Sequence, residues 1–498
     1  MKIMEEYEAI VVGGGPAGIF ATYTMLEKGT KGSELCLIEK GLSAKERNDY
    51  SIEGFGGAGL FSDVKLCMRF DTGSIVPEIY LEDIVNRFEE DKIFRENILK
   101  KIEFAKSANY KQILYSYLHA KACEPLIEYF EKVKEIFSDF CKRIGIEKDF
   151  YNLYKNDKDF KVNLESILRE ENLDISSYYP VIHLGSDQGR KVTEEFERYF
   201  KRNGVELKFN TEIKSITKNR EEFELIDSRG NIYNSNKLIL ACGKRGSNWM
   251  INQLKNLSAE IIEGKTWIGV RVETKKNELS ELTKHFGDDP KIKWPLIRKS
   301  LYDDWAIKLH CFVEGGKVIS YPWKNITLVG GTSDSKRSGK NTNFDVLYSD
   351  SSLTSKYIKE RSKKFEENLK TPTIQRFDDY LRNIPTKNLS KNSVSPTLKN
   401  YKTGNVREFL SNFSKNFAEK LPVFMEKISR LYKEITDPDT LIYFPVIEWG
   451  SERVKVNTNM ETNVKNLYTI GDSAGITQGI VASALTGIIA GNDIVRKR

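Results

Sequence analysis

Two stretches of this chain space their glycines as G-x-G-x-x-G. They are "GGGPAG" (residues 13–18) and "GFGGAG" (residues 54–59). That spacing lets backbone amides close around a phosphate, provided that a strand leads in and a helix leads out. The first stretch has this context. The apolar run "YEAIVV" precedes it and the helical pattern "IFATYTMLEKG" follows. Gly13 suits the tight turn, Gly15 the close approach of a pyrophosphate and Gly18 the packing of helix on strand, with Pro16 and Ala17 at the helix start. A second strand, "ELCLIEK", ends in Glu39 and Lys40, about 20 residues further on, where an acidic side chain takes ribose hydroxyls. The second stretch lacks this context. Polar "KERNDYSIE" precedes it and "LFSDVKLCMRF" follows, with no helix start. It reads as a surface loop or, the preferred reading, as backbone that must pass close to a bound cofactor.

A third set of residues lies at the other end of the chain. "VKNLYTIGDSAGITQGIVASALTG" reads as a strand over 466–470, then Gly471 and Asp472, then a small-residue helix from about Thr477. Asp472 at a strand end suits the ribityl hydroxyls of a flavin. The helix start at Gln478, Gly479 and Ile480 aims amides at the flavin C2 carbonyl, where negative charge builds on reduction.

These residues need an α/β frame. Residues 1–70 carry a strand–helix–strand unit and the glycine loop, and 79–178 are long, charged and helix-periodic. A helix follows from about Gln188 to Asn203. Strands then alternate through "VELKFNTEIKSITKN", "EFELIDSRGNIYNSN" and "KLILACG". From 266 the texture turns to strands and hairpins. "SDSKRSGKNTNFD" reads as a polar loop joining strand to helix, and helices are expected at 352–369 and 406–435. The expected architecture is α/β, with a Rossmann-like FAD-binding domain of three-layer βαβ type, a helical insertion and a second, mixed β-sheet substrate domain. The boundaries are 1–78, 180–265 and 441–498 for the first domain, 79–179 for the insertion and 266–440 for the substrate domain.

With 498 residues the chain can bury two or three cores, and its composition of 39% apolar and 30% charged residues is that of a globular protein. No apolar run approaches the ~20 residues of a membrane span. The acidic N-terminus is not a signal peptide, so a cytoplasmic protein is expected. A net charge of +7, with lysines and acids interspersed, does not indicate a nucleic-acid surface. Cys36, Cys67, Cys123, Cys141, Cys242 and Cys311 form no C-x-x-C pair, which argues against a dithiol relay or zinc ribbon. His119, His183, His285 and His310 lack metal-ligand spacing, so no metal is expected and structural roles are.

Together these residues resemble the two-dinucleotide-binding-domain FAD-dependent oxidoreductases. The closer likeness is to a bacterial and archaeal family of uncharacterised FAD-dependent dehydrogenases. It rests on "GGGPAG", "GFGGAGLFSDVKL", "HLGSD", "IGVRVE" and "GDSAGITQGIVASALTG", spread over nearly the whole chain. The resemblance implies FAD as cofactor, with the glycine loop lying against it: Gly56, Gly57, Ala58, Gly59, Ser62, Asp63 and Lys65 become cofactor or active-site contacts. Ile213, Ala241 and Gly243 join the cofactor-binding set, Cys242 standing where such proteins carry a threonine between alanine and glycine. The chain departs from the family pattern at Phe55 (usually glutamate), Leu60 (threonine), Val64 (glycine), Gln478 (glycine) and "EWGSERV" (an Arg-Thr-Ser-Ser stretch). These departures concentrate where a substrate is expected.

The implied activity is hydride transfer between flavin N5 and a small organic metabolite, with a biosynthetic role expected. Lys65, Glu448 and Gln478 are the catalytic candidates, Lys65 foremost, with Arg69 and Arg453 also able to face the ring and Trp449 able to stack on substrate. Each of these charges equally suits a surface position or a structural salt bridge. NAD(P)H as a transient donor, a redox partner protein or the substrate itself could reduce the flavin. A flavin monooxygenase or oxidase is the alternative, and an RNA-modifying or sensing flavin protein is a more distant one.

Overall fold

The computed structural model describes residues 4–47, 53–102, 110–151, 168, 170–175, 180–276, 289–295 and 305–498. His285 and much of the stretch 144–179 lie outside the described residues. The first part of the chain forms β1 (Met4–Val12), α1 (Pro16–Glu27), β2 (Leu35–Ile38), β3 (Lys65–Cys67), α2 (Val76–Glu90), α3 (Lys92–Ile102), α4 (Tyr110–Arg143), β4 (Asp174–Ile175) and β5 (Val181–His183). There follow α5 (Gly185–Arg202), β6 (Glu206–Lys208), β7 (Ile213–Asn219), β8 (Glu222–Asp227), β9 (Ile232–Leu240), α6 (Gly243–Asn256) and β10 (Ile261–Ile262). The next part holds β11 (Trp267–Lys275), β12 (Ile292–Trp294), β13 (Trp305–Trp323), β14 (Ile326–Thr332), β15 (Asn341–Asp350), α7 (Ser355–Lys364), α8 (Glu366–Leu369), β16 (Thr373–Arg376) and α9 (Phe377–Leu381). The last part holds β17 (Lys402–Thr403), α10 (Val406–Phe413), α11 (Lys415–Ser429), β18 (Leu441–Glu448), β19 (Arg453–Val454), β20 (Leu467–Thr469) and α12 (Ile480–Arg496).

The fold is α/β with two main sheets. In the first, β6, β2, β1, β9 and β20 run parallel, and β8 and β7 extend β9 antiparallel. The centre of β1, Ala9–Val12, is buried on both faces, which explains its unbroken apolar run. α1 and α12 pack closely on each other. A Cβ on Gly487 would overlap the Ala17 carbonyl, and one on Gly491 would press on Ala21 and Thr24. Small residues thus bring the C-terminal helix beside the N-terminal one, although more than 450 positions separate their starts.

The second sheet is mixed and runs β17-β16-β18-β11-β15-β13-β12-β4, with β14 hairpinned onto β13. It has its own apolar core, in which Phe417, Leu421, Phe424 and Met425 of α11 pack against strand residues such as Val270, Phe344 and Val346. Here the structure departs from the sequence reading in three ways. β18 falls in the second sheet, between β16 and β11, rather than with the first domain. The loop after Ser333 joins strand to strand, because "NTNFDVLYSD" forms β15, paired with β11 on one side and β13 on the other. The stretch 406–435 breaks at Ser414, which is extended and whose hydroxyl accepts a bond from the Phe417 amide to start α11. Smaller offsets occur at helix starts: α5 begins at Gly185 and α12 at Ile480.

Candidate active site

A cleft of about 440 Å³ lies between the two sheets. Its first wall is the carboxyl edge of the parallel sheet, the position where open α/β sheets hold ligands. The ends of β1, β2 and β9 bring Val12 and Gly13, Ile38 and Glu39, and Ala241 and Cys242 to the cleft, and the turn after β20 brings Gly471 and Asp472. Three helices open onto it. α1 has Gly15 at its N-cap, α6 has Cys242 and α12 has Gly479, and no N-cap side chain bonds any of the three. Their first amides are therefore unclaimed by capping groups, and each dipole favours negative charge at that end.

The two glycine stretches lie directly against each other. The Gly56 amide donates to the Gly14 carbonyl at 2.7 Å, and a Cβ on Gly57 would press on the Gly15 Cα at 3.0 Å. Glu39 braces both, accepting from the amides of Gly14 (2.8 Å), Gly41 (2.8 Å) and Gly54 (3.2 Å). Buried Arg47 donates to the carbonyls of Gly54, Phe55 and Gly57 and lies over the Phe61 ring at 3.7 Å. Burial pushes the Arg47 guanidinium down to about 10, still charged at neutral pH. Gly13 has φ +111, and a Cβ there would overlap the Ala241 carbonyl, so only glycine fits the turn.

The shape of this wall fits FAD. Gly243 (φ +61) and Gly479 (φ +118) both line the cleft, and a Cβ on either would meet nothing within 4 Å. Their backbone faces open space at two helix starts. The Asp472 carboxylate, among the same residues, accepts from the Ser483 hydroxyl at 2.8 Å, and burial pushes it up to about 6.

The second wall comes from the other sheet. Arg271, Cys311, Ile319, Tyr321, Val329, Gly330, Gly331, Asp345, Val446 and Glu448 line it, and Lys244 from α6 joins them. Arg271 is wholly buried. It donates to the Asn343 side chain at 2.8 Å and the Cys311 carbonyl at 3.1 Å and lies 2.9 Å from Asp345. Burial raises the Asp345 carboxyl to about 7 even with this guanidinium beside it. Glu448 behaves oppositely. Burial opposes its charge, but His310 (3.1 Å), Lys308 (3.4 Å) and Lys244 hold it below the usual carboxylate range. Burial in turn holds His310 below its ordinary value, against the pull of Glu448. The register of β13 slips between His310 and Val313, and Cys311 in that bulge has φ +51. Burial pushes the cleft thiols up, Cys242 to about 12 and Cys311 to about 11, so neither is a thiolate at neutral pH.

Of the residues singled out in the sequence, Gly13, Gly15, Pro16, Ala17, Glu39, Lys40, Gly57, Ala58, Gly59, Ser62, Ile213, Ala241, Gly243, Glu448, Gly471, Asp472, Gln478, Gly479 and Ile480 line the cleft. Gly18 packs under the Gly13 carbonyl and Gly56 against Thr193. Lys65 and Asp63 lie behind the wall. The Lys65 ammonium reaches Asp63 at 2.7 Å and donates to the Phe312 carbonyl. Asp63 also meets His183 at 2.9 Å and the Ser333 hydroxyl. Burial opposes the Lys65 charge, but Asp63 and Asp289 outweigh it and hold its pKa above the usual lysine value. The group ties β3 and β5 to the second sheet. Between its two charges sits Val64, at φ +49. Arg69 pairs with Asp71 at 2.6 Å, and neither it, Arg453 nor Trp449 lines the cleft. Lys244, Arg271, Tyr321 and Asp345 line it and escaped the sequence reading. Lys244 carried one signal: a lysine in the first turn of a helix sits against the dipole.

No protein-family model matches the chain, and no curated protein matches it. Solved structures to which it is similar include L-proline dehydrogenase from P. horikoshii, at 12% identity over 100% of this chain and 95% of that one, with a TM-score of 0.38. Glycine oxidase from Geobacillus kaustophilus is 12% identical over 99% of this chain and 95% of its own, with a TM-score of 0.36. NikD, an unusual amino acid oxidase essential for nikkomycin biosynthesis, is 10% identical over 99% and 94%, with a TM-score of 0.38. Among the described residues, no helix is long and apolar enough to cross a membrane, and no group of three or more His, Cys, Asp or Glu is placed to hold a metal ion.

Proposed function

We propose that the chain is an FAD-dependent oxidoreductase, acting in the cytoplasm on a small organic metabolite. One observation carries the reading: two interlocked glycine segments and three helix N-termini without side-chain caps line a single cleft at the carboxyl edge of a parallel sheet. In this reading Gly13, Gly15, Gly57 and Gly59 approach the pyrophosphate, and the amides at the start of α1 favour its charge. Glu39 takes ribose hydroxyls, exchanging part of its bonding to glycine amides. Asp472 accepts from the ribityl chain, and the α12 amides at Gly479 and Ile480 stabilise negative charge on the reduced ring. Bound there, FAD supplies hydride chemistry to a substrate held against the second wall.

The protein supplies water exclusion, orientation and proton control. Ile319, Val329 and Val446 give the second wall an apolar surface. Glu448 is a carboxylate held charged by His310 and Lys308, suited to orient a donor on the substrate. Asp345, raised to about 7, can take up or release a proton at its carboxyl oxygens near neutral pH.

NADH and NADPH, mixed anaerobically with the FAD-loaded protein, test the direction of electron flow by visible absorbance. Bleaching within seconds by either makes the chain a nicotinamide-fed reductase, and admitting oxygen then separates reductase from monooxygenase. A flavin untouched by both points to a dehydrogenase reduced by its own substrate or served by a protein partner. A chain that takes up no FAD contradicts the proposal.

A further inference from the structure

The charges lining the cleft pair off almost completely. Lys40 meets Glu212 at 3.0 Å, Arg245 meets Glu53 at 2.8 Å and Arg271 meets Asp345 at 2.9 Å. Glu448 has His310 and Lys308, Glu39 has three amides and Asp472 has hydroxyl donors. Lys244 is the exception. Its ammonium donates to the Ile447 carbonyl and makes no ion pair among the described residues. The rings of Tyr321 and Trp323 lie 5.9 Å from it. Burial pushes its pKa below the usual lysine value, against the pull of Glu448, Asp472 and Asp345. Its place in the first turn of α6 adds the unfavourable end of a helix dipole. The half-buried ammonium thus sits in the cleft with no carboxylate at ion-pair distance among the described residues, and partly desolvating a cation without a direct partner is costly. A cation kept in a cleft against burial and dipole is accounted for by an anion that arrives with the ligand.

We propose that Lys244 receives the carboxylate of the substrate, so that the cleft takes a small organic acid whose apolar body lies against Ile319, Val329 and Val446. This deepens the proposed function and rests on it. A singly charged anion fits better than a phosphate. Glu448, Asp345 and Asp472 all lie near the one ammonium, and a dianion there would be repelled. The placement also bridges the lobes: Lys244 leaves the end of the first sheet and is held by a carbonyl of β18 in the second.

The test titrates the FAD-loaded protein with benzoate, benzamide and phenylphosphonate, read by calorimetry and by the shift of the flavin absorption bands. The parent is expected to bind benzoate at least tenfold more tightly than benzamide or phenylphosphonate. K244Q is expected to lose at least tenfold in benzoate affinity, and K244R to recover most of it, with all three chains melting cooperatively. Equal benzoate binding by K244Q and parent overturns the proposal. So does equal binding of benzamide, tighter binding of phenylphosphonate, or no binding of benzoate, phenylacetate or acetate at tens of millimolar. A chain that holds no FAD contradicts the proposed function instead, and the calorimetric difference between parent and K244Q is read all the same.

Discussion

The two walls of the cleft are built from different materials. The sheet-edge wall is mostly backbone: glycines at positive φ, helix starts without side-chain caps, and carbonyls and amides braced by Glu39 and Arg47. The opposite wall is mostly side chain: Arg271 with Asp345, Glu448 with His310 and Lys308, and Lys244 with a lone carbonyl. A backbone wall recognises what every user of the same dinucleotide shares. A side-chain wall recognises what is particular to one substrate. The contrast predicts that substitutions on the first wall act on cofactor retention, whereas those on the second act on ligand choice and pH response.

The largest expected effect lies behind both walls. Lys65→Met leaves Asp63 buried with only His183 and Ser333 for partners, at a cost of about 3–5 kcal/mol. It should lower the melting temperature strongly. An unchanged melting temperature would mean that Lys65 does not join the lobes. Next comes Gly15→Val. Gly15 has φ −79, and its Cβ would meet only the Gly57 Cα, at 3.8 Å, so a side chain is tolerated by the backbone and takes space from the ligand. FAD affinity should fall about a hundredfold, an effect of ~2.7 kcal/mol, with a small change in melting temperature. Asp472→Asn should weaken FAD about tenfold, by ~1.5 kcal/mol, through loss of a charged acceptor.

The second wall should answer to pH. Asp345 has an ordinary value of 3.8 and is raised to about 7 in the fold. Well below its ordinary value of 3.8 the carboxyl is protonated whether the chain is folded or not. As the pH climbs towards 7 the unfolded chain ionises first, so the folded state loses free energy across that window and no more above it. Relative to Asp345→Asn, the parent should therefore lose melting temperature between pH 4 and 7 and run parallel above. Parallel curves throughout would show that Asp345 titrates normally.

The walls also differ in how legible they are. Glycine spacing, a strand-end acid and a small-residue helix are local patterns, so the first wall could be read from "GGGPAG" and "GDSAGITQG". The second wall is assembled from β11, β13, β14, β15 and β18, whose cleft-facing residues share no short-range spacing. Lys65 shows the same limit. Its partners Phe312, His183 and Ser333 lie far away in sequence, and nothing in "FSDVKLC" reveals that the lysine points into a joint between lobes. A domain boundary at 441 puts β18 with the first domain although it lies in the second sheet, because "LIYFPVIE" is apolar on both faces and fits either core. The start of β15 is illegible because Asn341, Thr342 and Asn343 look like loop, although all three are buried and Asn341 bonds Glu273.

The most direct test of the central claim is a titration of the purified chain with FAD, followed by visible absorbance and by retention of colour through gel filtration. The account predicts one FAD per chain and its loss in Gly15→Val. A parent chain that folds cooperatively yet retains no FAD, or a Gly15→Val chain that retains it as well as the parent, would contradict it.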